Sequence, residues 1–247
     1  MAYSPSGEKR KQEADAVCQI KDQEGELMES IVKKIDHTLL RQDITSGDIE
    51  RLCREAREYG FYSVMIHALH IPEAVRALAG SGVKIGTVVG FPFGETPSAV
   101  KAFEAEQAVL LGADEVDMVA AVSRIKEGLF DEVEEDIRQV VRAVSVPVKV
   151  IVEASLLTKE ELVKACECCI AAGAAFVKTS TGYFGVGATV ENIRLMKSVC
   201  GEKILIKAAG GIRDYASACA LTEAGADRLG TSAGVAIAQA ERAESKG

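Results

Sequence analysis

The stretch VPVKVIVEASLLTKEELVKACECCIAAGAAFVKTSTG, residues 146–182, holds one complete structural unit and the start of the next. Val148–Glu153 is β-branched and apolar on both faces, the pattern of a strand covered by helices on either side. Lys159–Ala172 has helical length and periodicity. Gly173-Ala-Ala follows, where a helix end must turn back into a sheet. Phe176–Ser180 then reads as the next strand.

The same unit recurs on both sides. Further strands are expected at Lys34–His37, Ser63–His67, Lys84–Val89, Glu115–Ala120, Ile204–Ala209 and Arg228–Thr231. Helical patterns fall between them at Ser46–Tyr59, Pro97–Leu111, Phe130–Val144, Val190–Val199 and Asp214–Ala224. Most strands begin 24–32 residues after the one before, which is the length of a βα unit. Eight units in about 220 residues are the arithmetic of a (β/α)8 TIM barrel, an α/β fold with parallel strands. A doubly wound open sheet would want a Gly-rich turn after its first strand, and Asp36-His-Thr-Leu-Leu contains no glycine. The barrel is assigned to residues 25–247. Residues 1–24, polar and without an apolar leader, read as a loosely ordered N-terminal extension rather than a secretory signal.

Composition narrows the function. The 247 residues are 48% hydrophobic and 27% charged, ordinary values for a globular chain. The longest apolar stretch, Cys168–Val177, is ten residues, too short to span a membrane. Twenty-nine Lys and Arg against 37 Asp and Glu give a net charge of −8, a poor balance for a nucleic-acid partner. Seven cysteines without regular spacing argue against a disulfide framework and fit a reducing cytoplasm. The Cys166-Glu-Cys-Cys169 cluster reads as small buried residues on a helix face, since no second pair or nearby histidine completes a zinc site.

In such a barrel the chemistry lies where strands run into their following loops. Those positions are Asp36 and Thr38, His67, Gly90-Phe-Pro, Asp117, Glu153, Lys178, Lys207 and Gly230-Thr-Ser232. Strand parity aims Lys178 and Lys207, on neighbouring strands, into the barrel mouth. Two ammonium groups ~6 Å apart at an effective dielectric of ~20 repel by roughly 3 kcal/mol, about two pKa units. Desolvation pushes the same way. A lysine so depressed is nucleophilic near neutral pH, as a Schiff base requires. Alternatively, both lysines are structural and neutralised by Asp117 or Glu153. Asp117 has the parity and depth to shuttle protons beside an iminium. Glu115, deeper on the same strand, is expected to pair with Lys149. Gly-rich loops at Ser180-Thr-Gly182, Ala209-Gly-Gly211 and Gly230-Thr-Ser-Ala-Gly234 offer amides to a phosphate.

Seven segments together carry a family resemblance: Ile35-Asp-His-Thr-Leu-Leu40, Gly90-Phe-Pro-Phe-Gly94, Ala113-Asp-Glu-Val-Asp-Met118, Val148-Lys-Val-Ile-Val-Glu153, Phe176-Val-Lys-Thr-Ser-Thr-Gly182, Ile206-Lys-Ala-Ala-Gly-Gly-Ile-Arg213 and Leu229-Gly-Thr-Ser-Ala-Gly234. From about Lys34 to Ala238 the chain resembles the deoxyribose-phosphate aldolases, class I aldolases of the DeoC family. The resemblance implies reversible cleavage of 2-deoxy-D-ribose 5-phosphate to D-glyceraldehyde 3-phosphate and acetaldehyde. It makes Lys178 the Schiff-base residue, with Asp117 and Lys207 as the acid/base pair. Asp36 and Thr38 would line the sugar site. Thr181, Gly182, Gly210, Gly211, Gly230 and Ser232 fall in the segments that hold substrate and phosphate. Because the lysine is the electron sink, no metal or organic cofactor is expected. Members of the family are commonly dimers or tetramers. Two places depart from the family pattern. Val64-Met-Ile-His-Ala68 stands where Val-Cys-Val-Asn-Pro or a relative is frequent, and Tyr183-Phe-Gly-Val-Gly187 replaces Phe-Gly-x-Gly-Gly. The competing readings are another lysine-dependent sugar-phosphate aldolase or transaldolase-like barrel, a metal-dependent aldolase, and a non-catalytic sugar-phosphate binder.

Overall fold

Eight short apolar runs become parallel strands because each is followed by an amphipathic helix that returns the chain to the same end of the sheet. In a computed structural model, which describes residues 19–21 and 27–245, these strands close into a barrel. Ahead of it, β1 (Gln19–Lys21) and β2 (Leu27–Glu29) pair antiparallel. The remaining residues of the 1–24 extension lie outside the described residues.

The barrel strands are β3 (Ile35–Leu39), β4 (Ser63–Ile66), β5 (Lys84–Val89), β6 (Glu115–Val119), β7 (Val148–Ile151), β8 (Phe176–Lys178), β9 (Leu205–Ala209) and β10 (Arg228–Thr231). Each pairs with the next, and β10 pairs with β3 to close the ring. The helices are α1 (Ser46–Tyr59), α2 (Ile71–Leu78), α3 (Ser98–Leu111), α4 (Val122–Lys126), α5 (Phe130–Ala143), α6 (Lys159–Ala172), α7 (Val190–Cys200), α8 (Tyr215–Glu223) and α9 (Gly234–Glu244). Capping boxes at Thr45 and Thr158 satisfy orphan amides at the starts of α1 and α6.

Most of the apolar core is the shell between strands and helices, where Ile49, Val116, Val150, Val177 and Ile206 are buried. Cys166, Cys168 and Cys169 lie in this shell on α6. The six described cysteines are unpaired. Inside the barrel the side chains are of a different kind. Asp36, Glu115, Asp117, Lys149, Lys178, Lys207 and Arg228 are all buried there and interact with one another. Buried charge on this scale stabilises little by itself, which directs attention to what it holds in place.

Candidate active site

The register sets the charged side chains in layers. Lys178 and Lys207 are register partners on β8 and β9, and Asp117 faces Lys149 across β6 and β7. Period-two alternation aims all four inward. Asp117 is the hub of this cluster. Its Oδ2 accepts from Lys178 Nζ at 2.9 Å and from Lys207 Nζ at 2.7 Å, and its Oδ1 accepts from Lys149 Nζ at 2.8 Å. Although burial alone would raise its pKa, the three ammonium groups hold the carboxyl well below the usual range.

The expected Glu115–Lys149 pair forms at 2.8 Å, but Lys149 also grips Asp117. Burial opposes its charge, yet Asp117, Asp36 and Glu115 overcome that and push its pKa up. Lys207 lies against two carboxylates, Asp36 and Asp117. Among the described residues, Lys178 pairs with a single carboxylate, Asp117. Its pKa is lowered from 10.5 to about 8, first because it is buried, with repulsion from Lys207 and Lys149 adding to the shift and Asp117 opposing it. Burial therefore outweighs the ammonium–ammonium repulsion that the sequence argument put first. Four cations here meet three carboxylates, so the cluster reaches charge balance when one lysine is neutral. Lys178, with the fewest counter-charges, is the one that gives up its proton most easily.

Asp36 does not line the open site. It lies a layer lower, fully buried, beside Lys207 and bonded to Ser63 and Arg228. Thr38, two residues on and of the same parity, does reach the opening. There a cavity of about 1060 Å³ is bounded by the loops after β3, β8, β9 and β10. It brings together Lys178, Thr38, Thr181, Gly182, Gly210, Gly211, Gly230 and Ser232. Arg41 and Arg213 also line it. Neither was singled out in the sequence, although Arg213 ends one of the quoted segments.

The loops are fixed by close contacts. Gly210 and Gly211 have φ of +87° and +78°, a left-handed backbone that a side chain would strain. A Cβ on Gly187 would sit 2.4 Å from the Gly210 carbonyl oxygen, so the loops after β8 and β9 pack backbone to backbone. Gly230 leaves space for Lys207, whose Cε would lie 3.1 Å from a Cβ there. Glu153 pairs with neither lysine of the mouth. Its Oε2 accepts from the Thr181 amide at 3.0 Å and from the Thr181 hydroxyl, holding the loop that follows Lys178. Tyr183 donates its hydroxyl to the Leu40 carbonyl at 2.7 Å.

The three histidines are dispersed: His37 bonds Glu55, His67 the Leu40 carbonyl and His70 Glu73. Among the described residues, no group of three or more His, Cys, Asp and Glu is placed to hold a metal ion. No described helix is long and apolar enough to cross a membrane.

The family model described as DeoC/LacD family aldolase matches residues 30–240. The chain belongs to that family. A DeoC/LacD relative named deoxyribose-phosphate aldolase, from Carboxydothermus hydrogenoformans, is 53% identical over 214 residues, 85% of this chain and 94% of the relative. Among solved structures of aldolases, one named QR15 superposes with a TM-score of 0.84 at 40% identity, covering 88% of this chain and 98% of its own. The deoxyribose phosphate aldolase of Aeropyrum pernix, described as a unique tetramer, gives 0.79 at 32% identity over 87% of this chain and 92% of its own.

Proposed function

We propose that this chain is a class I aldolase that reversibly cleaves 2-deoxy-D-ribose 5-phosphate to D-glyceraldehyde 3-phosphate and acetaldehyde. The observation that carries the reading is Lys178. It is a buried amine at the edge of an open cavity, with a pKa near 8 and its counter-ion Asp117 shared with Lys207.

The chemistry follows from that arrangement. The neutral Lys178 amine adds to the C1 carbonyl of the open-chain sugar, and the carbinolamine loses water to give an iminium. The electron pair of the C2–C3 bond then becomes the C1=C2 double bond as the iminium π pair moves onto nitrogen, while the 3-hydroxyl loses its proton. D-Glyceraldehyde 3-phosphate departs, leaving an enamine on Lys178. The enamine takes a proton at C2, and water hydrolyses the resulting iminium to free amine and acetaldehyde. Asp117 and Lys207 handle these protons: one carboxylate oxygen already accepts from both amines, so a proton moves between them with little rearrangement. The substrate phosphate is held by the amides of Gly182, Gly210 and Gly211, with Ser232 and the start of α9 beside them. Thr38 and Thr181 bound the sugar between phosphate and lysine.

The role follows from the reaction: deoxyribose catabolism in a reducing cytoplasm, consistent with the unpaired described cysteines. The functional unit is a homodimer or homotetramer. One face of α3 supports this, since Val100, Phe103 and Leu110 are 51%, 60% and 79% exposed and lie within about a third of the helix circumference.

The test is borohydride trapping with acetaldehyde followed by peptide mass spectrometry. An ethyl adduct on Lys178, absent from Lys178→Leu, is the expected result. A folded protein that gives no adduct overturns the reading. Comparing acetaldehyde with dihydroxyacetone and pyruvate as donors separates this activity from transaldolase-like and keto-acid aldolases.

A further inference from the structure

The two places where the chain departs from the frequent family pattern meet in space. His67 stands where that pattern has Asn, and Tyr183 where it has Phe. Both side chains donate to one atom. The Leu40 carbonyl oxygen accepts from the Tyr183 hydroxyl at 2.7 Å and from His67 Nε2 at 2.8 Å, so Nε2 carries the ring proton. Phe91, from the loop after β5, meets the Tyr183 ring edge to face with centroids 5.4 Å apart, and the His67 ring in the same manner at 6.3 Å. Phenylalanine at position 183 would keep the ring contact and lose the bond.

The Tyr183 bond spans the mouth. The cavity is bounded by the loops after β8, β9, β10 and β3, four consecutive positions around the ring. β8 and β3 are the two ends of that run and are not sheet neighbours. Tyr183 and Leu40, 143 residues apart in the chain, join those ends, and both line the cavity. On the β8 side the tie continues inward: the Tyr183 amide donates to Thr181 Oγ1 at 3.1 Å, and Thr181 is held by Glu153. On the β3 side, Leu40 lies two residues beyond Thr38, which also lines the cavity.

Resting on the aldolase reading, we propose that Tyr183 and His67 are positioning residues for the sugar phosphate. Through the shared Leu40 carbonyl they lock the loop after β8 to the loop after β3, and so fix the width of the cavity between Thr38 and Thr181. Neither has to touch the substrate. A sugar phosphate reaches from Lys178 to the Gly210 and Gly211 amides and needs both walls at one spacing. Locked loops are already ordered when it binds, which favours affinity. Acetaldehyde, two carbons long, engages Lys178 and is indifferent to that width.

Tyr183→Phe and His67→Phe each remove one donor and keep an aromatic ring against Phe91. Tyr59→Phe, at the end of α1 and outside the cavity, removes a phenol that accepts from Gln239 Nε2 at 3.0 Å and serves as the control. Cleavage kinetics of 2-deoxy-D-ribose 5-phosphate give KM and kcat, and borohydride trapping with acetaldehyde alone gives the rate of imine formation at Lys178. KM is expected to rise about three- to tenfold in each of the two mouth variants, the effect of one hydrogen bond. Their kcat and trapping rate stay at wild-type values, and Tyr59→Phe changes none of the three. KM does not depend on how much of the protein is folded, so a lower yield does not imitate the result. An unchanged KM in either mouth variant overturns the paired lock and leaves the aldolase reading intact. Trapping that falls as far as kcat/KM also overturns the lock, since the damage then lies at the lysine. Failure to trap acetaldehyde on wild-type Lys178 overturns both readings.

Discussion

Lys178 carries a stability cost that follows from its function. Its pKa falls from 10.5 to about 8 on folding, so between those values the unfolded chain holds a proton that the folded chain has released. Stability therefore rises with pH across this window, and below pH 8 the penalty of ~3 kcal/mol is fully present. Lys178→Leu should abolish cleavage yet raise the denaturation midpoint at pH 7, with the gain shrinking by pH 10.5. Urea titrations at the two pH values check this, and a variant less stable than wild type at pH 7 contradicts it. Imine formation by the native enzyme should accelerate as pH rises toward 8 and then level off. The convergence of Lys178 and Lys207 was legible from strand parity. The weight of burial over repulsion was not, because it depends on how deep the amine lies, and parity gives direction without depth. Asp36 shows the same limit: its side was readable, its layer was not.

Among the elements, the segment after β8 carries most of the site without being a helix or a strand. It is held at Thr181 by Glu153, at Tyr183 by the Leu40 carbonyl and at Gly187 by the Gly210 backbone. Glu153 has φ +50°, the one positive φ outside glycine among the described residues. Such a conformation costs a non-glycine residue roughly 1–2 kcal/mol, offset here by two hydrogen bonds to Thr181. Glu153→Ala keeps the strain and loses both bonds, and should raise KM for the phosphorylated substrate about tenfold, with a smaller effect on kcat. Glu153→Gln retains an acceptor oxygen and should restore most of the loss. Steady-state kinetics of the two variants decide it; equal loss in both would mean that the charge, not the acceptor, matters. The sequence placed Glu153 at a strand end but suggested a lysine partner, because a contact between the end of β7 and the loop after β8 depends on barrel stagger. Most helices were legible within a residue or two. The short α2 and α4 and the Ala-rich α9 were not set out: eight and five residues are too few turns to show a period, and α9 has weak apolar contrast.

For the whole molecule, the fold was readable early because the strand–helix unit repeats at near-constant spacing, and eight repeats close a ring. Assembly is less accessible to such reasoning. An apolar face on α3 looks the same in sequence as one packed on the core, and only the closed barrel shows which residues point outward. If Val100, Phe103 and Leu110 form the contact between copies, Phe103→Lys with Leu110→Lys should convert the oligomer to monomer in light scattering, with trapping at Lys178 intact. A wild-type protein that is already monomeric would dismiss this interface.

The lopsided mouth has a stereochemical consequence. The cavity lies over the loops after β3 and β8–β10, and Leu40 on its lining packs against Met65, Val88 and Phe91, which fill another part of the mouth. A planar enamine on Lys178 thus has one face toward the packed side and one face toward the cavity. In the synthetic direction the acceptor arrives from the open side only, its phosphate already anchored, and so presents a single face of its own carbonyl. The new carbinol centre is then formed in one configuration, dictated by which half of the ring was filled with hydrocarbon.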